Sequence, residues 1–273
     1  MPTREEVAYF GAGPAPLPTA VLERGSRAFL NFEETGLSLA EISHRSPTAN
    51  KILADTKQAL KSLLDIQDNY EILFMHGGGS GEFSAVVFNL VAVWVEQRRR
   101  SAVKELGDDA DAVLERVRND VKKDLKLDYI VTGSWSLKAS QEAALLLEPL
   151  GKDFVNVAVD ARTSNGGKFG TIPEKASCNL TDADGGKNSA FVYYCDNETV
   201  DGVEFPGFPE YFQEDKKHER IVVADMSSNF LSRKVDVSKY AVIFVGTLLH
   251  TRLDYGAHRH HRVVRRKISA SPT

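Results

Sequence analysis

The stretch YEILFMHGGGSGEFSAVVFNLV, residues 70–91, constrains the fold more than any other part of the chain. A short apolar strand, EILFM, ends in HGGGSGE, where Gly77, Gly78, Gly79 and Gly81 permit tight backbone geometry. An apolar helix is predicted from about Glu82, packed on the sheet. Strand, glycine turn and helix start together make an anion site, because free backbone N–H groups and the helix dipole converge there. The turn matches neither GxGxxG nor GxxxxGK[ST], so it gives little support to those two nucleotide-binding modes.

Further short apolar runs follow: LDYIVTGSW, DFVNVAVDA (153–161), SAFVYYCDNETVDGVEF, RIVVADMSS and YAVIFVG (240–246). Helical patterns precede or separate several of them, beginning near Thr19, over Ala49–Leu64, and in LKASQEAALLLEPL. That alternation predicts an α/β domain with a mostly parallel sheet and flanking helices. Ligands in such sheets gather outside the carboxyl ends of the strands. Ser80, Trp135, Thr199 and Asp225 stand at those ends. Residues 1–18, punctuated by Gly and Pro, read as an extended arm. The charged stretch 96–126 reads as a helical surface insert or hairpin within a domain spanning 19–246.

Composition narrows the partners. A net charge of -4 gives no whole-chain case for nucleic acid or an acidic membrane. Cys178 and Cys195 form neither a disulfide framework nor a metal spacing, and a reducing cytoplasm is the expected compartment. The start of the chain, with Glu5, Glu6 and several prolines, is unlike a signal peptide. The longest apolar run, 84–95, reads as too short to span a bilayer. Charge changes abruptly near residue 247: Arg252, Arg259, Arg262, Arg265, Arg266 and Lys267 face only Asp254, a net of +5. The residues before it therefore carry -9. His258, His260 and His261 fall in that tail without an apolar scaffold for a metal, and the tail is expected to be disordered.

The chemistry of the strand-end residues has a functional and a plain reading in each case. Asp225, directly after IVVA, can pair with a protonated pyridine nitrogen, or simply cap a turn. Trp135 can stack on a planar ring or merely pack. Thr199 can hydrogen-bond a cofactor oxygen or the local backbone. His44 and Arg45, in EISHRS, can recognise a carboxylate or phosphate, or form a solvated turn.

In their order, FGAGPAPLP, EISHRS, LFMHGGGSGEF, YYCDNETVDGVEF and VVADMSSNFLSRKVDVSKYAVIFVG resemble the phosphoserine aminotransferase family over residues 4–246. The resemblance implies the large domain of a fold type I pyridoxal-phosphate enzyme, and the insert looks like the fungal form. It implies that Gly79 and Ser80 hold the cofactor phosphate, although some bacterial members carry arginine at the position of Ser80. It further implies that Trp135 stacks on the ring, Thr199 contacts the ring hydroxyl and Asp225 pairs with the ring nitrogen. His44 and Arg45 become the substrate-side pair. The implied reaction moves the amino group between phosphoserine and 2-oxoglutarate, giving phosphohydroxypyruvate and glutamate, in serine biosynthesis, by a cytoplasmic homodimer.

The resemblance stops near residue 247. The family's strand runs into a segment like AQKN, whose lysine forms a Schiff base with the cofactor; here the chain reads VGTLLHTRLD. Aligned without gaps, Leu248 takes the place of the glutamine and Leu249 that of the lysine. Leucine has no amine, so it neither attaches the cofactor nor shuttles a proton. The expectation from sequence is a partial domain, with the small carboxyl-terminal domain absent and the tail 247–273 divergent. The alternative to the enzyme is then a catalytically inactive fragment.

Overall fold

A computed structural model describes residues 2–9, 16–181, 189–212 and 220–246, together with the backbone of 260–266. The described residues fall into two compact units, divided after Gln67. That division lies inside the single domain expected over 19–246. Its physical basis is that residues 2–67 hold helices and turns, whereas every described strand begins at or after Tyr70.

In the first unit α1 spans Thr19–Leu30 and α2 spans Pro47–Leu64. Helix α2 starts two residues before the predicted Ala49. The Ser46 hydroxyl accepts the Ala49 N–H at 3.1 Å and Pro47 takes the first helical position, where its missing N–H costs nothing. Asp65, left-handed at φ 51°, closes it. Helix α1 has no buried residue, and Val21, Phe29 and Leu30 are exposed.

The second unit is built on a sheet. Strand β1 (Tyr70–His76) leads through the glycine turn to α3 (Gly78–Leu106); α4 (Ala110–Asp124) follows. Then come β2 (Lys126–Val131), α5 (Ser134–Leu147), β3 (Val155–Asp160) and the single-turn α6 (Ala161–Ser164). Strand β4 (Ser189–Cys195) is followed by the two-residue pair β5 (Asn197–Glu198) and β6 (Val203–Glu204). The unit continues with β7 (Val222–Asp225), β8 (Val242–Val245) and β9 (His260–Arg266).

The main sheet has the order β1-β9-β8-β7-β4-β2-β3. Strand β2 runs parallel to β3 and β4, β4 to β7, and β7 to β8. Strand β9 is antiparallel to both β1 and β8, so β1 shares the direction of the parallel strands. All the carboxyl ends except that of β9 therefore meet at one edge.

Within the tail 247–273, residues 260–266 pair on both sides as β9. A strand here satisfies the facing backbone groups of β1 and β8, which would otherwise be two unpaired edges, and the β-branched Val263 and Val264 suit an extended backbone. Residues 247–259 and 267–273 of that tail lie outside the described residues.

Both faces of the central parallel strands β2, β4, β7 and β8 are buried, as crossover helices require. One face presents Leu127, Tyr129, Phe191, Tyr193, Val223 and Phe244 to Phe83, Val87, Leu90 and Trp94 of α3 and to Ala143 and Leu147 of α5. The other carries Tyr194, whose ring meets Phe205 at 5.1 Å and whose hydroxyl lies within hydrogen-bond distance of the Tyr240 hydroxyl, at 3.2 Å.

Helix α3 begins at Gly78, not Glu82, and extends for 29 residues. By length and composition alone it is long and apolar enough to cross a bilayer, which the run 84–95 had not suggested. Its apolar face instead packs into the sheet core. Its last turns lie against α4 over a small cluster of Ala102, Val113 and Val117.

Leu90 is 1% exposed in the middle of the α3–sheet contact. The substitution Leu90→Ala is expected to lower stability by about 2–5 kcal/mol, read as a lower urea midpoint at unchanged slope.

Candidate functional site

Asp225 is the last residue of β7. One carboxylate oxygen accepts the Ser227 N–H at 2.9 Å and also the Ser227 hydroxyl, and the other accepts the Tyr193 hydroxyl at 3.3 Å. Burial raises the Asp225 carboxyl above its ordinary value, the Ser227 and Tyr193 donors pull it back, and nearby Asp196 pushes it up again. Among the described residues, no cationic side chain is among the groups acting on it. The Ser227 oxygen in turn accepts the Gly246 N–H at 2.9 Å, so one hydroxyl joins the carboxylate to the end of β8. Tyr193 also touches Cys195 at 3.3 Å, a fully buried thiol that burial pushes up and keeps unreactive.

Trp135 is the second residue of α5 and is 47% exposed. The amides of this first turn find acceptors from far along the chain. The Trp135 and Ser136 N–H groups donate to the two oxygens of Glu198 at 2.8 and 2.9 Å. The Ser134 N–H donates to Asp201 at 2.6 Å. Thr199, exposed, lies between these two acids. Lys138 sits over the Trp135 ring at 4.6 Å from its centroid.

Gly79 and Ser80 occupy the first turn of α3, and both are exposed. Gly77, at the N-cap, has no side chain to cap that turn, and no side-chain cap is found among the described residues. Gly77 at φ 150° and Gly78 at φ 72° turn the chain from strand into helix, a path that only glycine follows without strain. The amino end of a long helix, with several N–H groups uncapped, favours an anion.

The second unit thus brings Ser80, Trp135, Thr199 and Asp225 to the same sheet edge. His44 and Arg45 belong to the first unit, in the turn before α2. There the Arg45 guanidinium donates to the His44 ring at 3.3 Å, and both side chains are exposed. Leu248, Leu249 and His258 lie outside the described residues. Lys239 stands just before β8, beside Asp236 at 3.9 Å and over the Phe208 ring. It is therefore at the opposite end of the parallel strands from Asp225.

Several residues that build this edge were not singled out by sequence. Glu198 and Asp201 follow Asn197 in NETVD, and acids facing an uncapped SWS turn were the available signal. Ser227, two residues after Asp225, has the spacing of a local side-chain turn. A buried network around Asp196, with Arg233, Asn229 and Tyr194 as donors, holds the strand end from beneath.

The pattern of the family described as aminotransferase class-V matches residues 7–146. A phosphoserine aminotransferase of Saccharomyces cerevisiae is 40% identical over 243 residues, covering 89% of this chain and 53% of the relative. A putative phosphoserine aminotransferase of Schizosaccharomyces pombe is 39% identical, covering 90% and 54%. Among solved structures, the phosphoserine aminotransferase of Trichomonas vaginalis with bound pyridoxal phosphate superposes with a TM-score of 0.65 at 28% identity, over 94% of this chain and 57% of that one. The enzyme from Bacillus circulans subsp. alkalophilus gives 0.67 at 27% identity, over 94% and 56%. The chain spans about half the length of these relatives. The α/β sheet with flanking helices is that of fold type I, and the chain belongs to the class-V aminotransferase family.

Proposed function

We propose that this chain forms the cofactor cradle of a phosphoserine aminotransferase, acting on pyridoxal 5'-phosphate, phosphoserine and 2-oxoglutarate. The observation that carries this reading is Asp225. It is a carboxylate at the mouth of a parallel sheet, oriented by two hydroxyls and an amide, with no cation among the described groups acting on it. Such a group fits the protonated ring nitrogen of a pyridine cofactor. The uncapped amino end of α3 fits its phosphate, with Gly79 and Ser80 in contact, and the half-exposed Trp135 offers a ring face. Thr199 is assigned to the ring hydroxyl.

The bound cofactor supplies an electron sink for the carbanion formed at the amino acid's α-carbon. The chain's own part is to hold the ring nitrogen protonated through Asp225, to fix that carboxylate through Ser227 and Tyr193, and to anchor the phosphate at α3. His44 and Arg45 are assigned to the carboxylate or phosphate of the substrate. Transfer would convert phosphoserine and 2-oxoglutarate into phosphohydroxypyruvate and glutamate. The names of the similar yeast proteins support this substrate assignment. The same reading makes the protein a cytoplasmic homodimer, and the two free cysteines suit a reducing compartment.

A second reading has its own observation. Leu249 stands where the resemblance puts the reactive lysine. On this reading the chain holds the cofactor and does not transaminate. Mixing the chain with pyridoxal phosphate, reducing with borohydride and mapping the adduct by mass spectrometry distinguishes the two. Cofactor-dependent quenching of tryptophan, no lysine fixed in the cradle and no glutamate formed from phosphoserine and 2-oxoglutarate supports the inactive cradle. A single fixed lysine with turnover overturns it.

Asp225 also sets a pH dependence. Its folded-state carboxyl is raised, so its ionised form costs stability at neutral pH and this cost disappears as pH falls through the raised value. Cofactor binding needs the ionised form, so affinity is expected to fall as pH is lowered through the same range. Asp225→Asn should weaken binding by about tenfold or more at pH 7.5 and flatten this acid limb, measured by fluorescence titration.

A further inference from the structure

Glu198 is fully buried beside the core thiol of Cys195, and among the described residues no cation is among the groups acting on it. Both its oxygens are spent on the first turn of α5, through the Trp135 and Ser136 amides. Its own carbonyl accepts the Gly202 N–H at 2.8 Å, which closes the turn carrying Thr199. Asp201, three residues on, takes the Ser134 N–H from the other side of that turn. Gly133 completes the fit: a Cβ there would stand 2.5 Å from the Cγ and Cδ atoms of Glu198 and 2.6 Å from its Cβ. Glycine is thus the residue that lets this carboxylate reach the helix.

The consequence is a clamp between two turns that are more than sixty residues apart in sequence. One turn presents Trp135 and the other presents Thr199. We infer that Glu198 is a positioning residue that fixes Trp135 and Thr199 together, so that ring face and hydroxyl donor arrive as one preformed surface. This rests on the cofactor reading of those two residues. A carboxylate receiving two amide hydrogen bonds at a helix amino end is well suited to the task, because the charge strengthens both bonds and opposes the helix dipole. Burial excludes water that would otherwise compete for the same amides.

The experiment uses the whole chain and pyridoxal 5'-phosphate as the probe. Cofactor affinity is read from tryptophan quenching, and hydrogen exchange by mass spectrometry is read on the peptide covering 132–137. Four proteins are compared: the unmodified chain, Glu198→Ala, Glu198→Gln and Leu147→Ala. Leu147 is a core residue of α5, 1% exposed, outside the site. Glu198→Ala is expected to speed exchange in 132–137 and weaken the cofactor by about tenfold or more. Glu198→Gln keeps one acceptor oxygen but sets an NH2 against the second amide, and should recover only part of that loss. Leu147→Ala should lower the melting temperature while leaving cofactor affinity within about threefold of the unmodified chain. If Glu198→Ala fails to fold, Gly133→Ala displaces the same carboxylate and is expected to weaken the cofactor likewise. Unchanged affinity or unchanged local exchange in these clamp variants overturns the inference, and so does an equal loss in Leu147→Ala. No quenching in the unmodified chain shows instead that the cofactor reading itself has failed, and the inference falls with it.

Discussion

Parallel pairing is the constraint on which the rest of the second unit depends. Because β2, β3, β4, β7 and β8 run in one direction, their carboxyl ends open onto a single edge. Strand β1 joins them in direction across the antiparallel β9. Residues separated by well over a hundred positions, Ser80 and Asp225 among them, therefore reach one edge without any special contact between them. Parallel strands also need both faces covered. The long apolar face of α3 and the shorter one of α5 meet that need on one side, and the aromatic cluster around Tyr194 meets it on the other.

The same edge concentrates carboxylates, and their environments separate their roles. Asp196 is buried and takes Arg233, so its charge is matched within the strand end. Glu198 and Asp201 give their oxygens to the amides of α5. Asp225 accepts only neutral donors, and burial raises its carboxyl. Unlike Glu198 and Asp201, whose oxygens are taken by helix amides, Asp225 ends a sheet strand at the mouth of the parallel edge. This difference, more than its place in a motif, makes Asp225 the centre of the candidate site.

Two hydrogen-bonding bridges stiffen the edge. Ser227 joins Asp225 to the Gly246 amide, so the carboxylate is referenced to the end of β8. Glu198 joins the Trp135 turn to the Thr199 turn. A planar ligand entering such an edge meets groups already held in place, which reduces the ordering required on binding. The amino end of α3 adds a fixed partial positive charge at the same edge, without any side chain to reposition.

By itself the sequence determined the strands, the glycine turn after β1 and the placement of Asp225 directly after an apolar run, because each leaves a local signal. The residue order also carried the family resemblance, His44 and Arg45 included. Tertiary structure decided what local spacing cannot encode. Helix α5 begins at Ser134, ahead of the apolar pattern, since its amides are satisfied by Glu198 and Asp201 from another strand end. Helix α3 begins at Gly78 because the backbone angles of Gly77 and Gly78, and not side-chain periodicity, set its start. Residues 260–266, charged and outside the resemblance, become β9 because two facing strands present unpaired backbone groups. Backbone and buried polar groups must find partners, and those partners are chosen by the fold over long separations, which a one-dimensional pattern does not record.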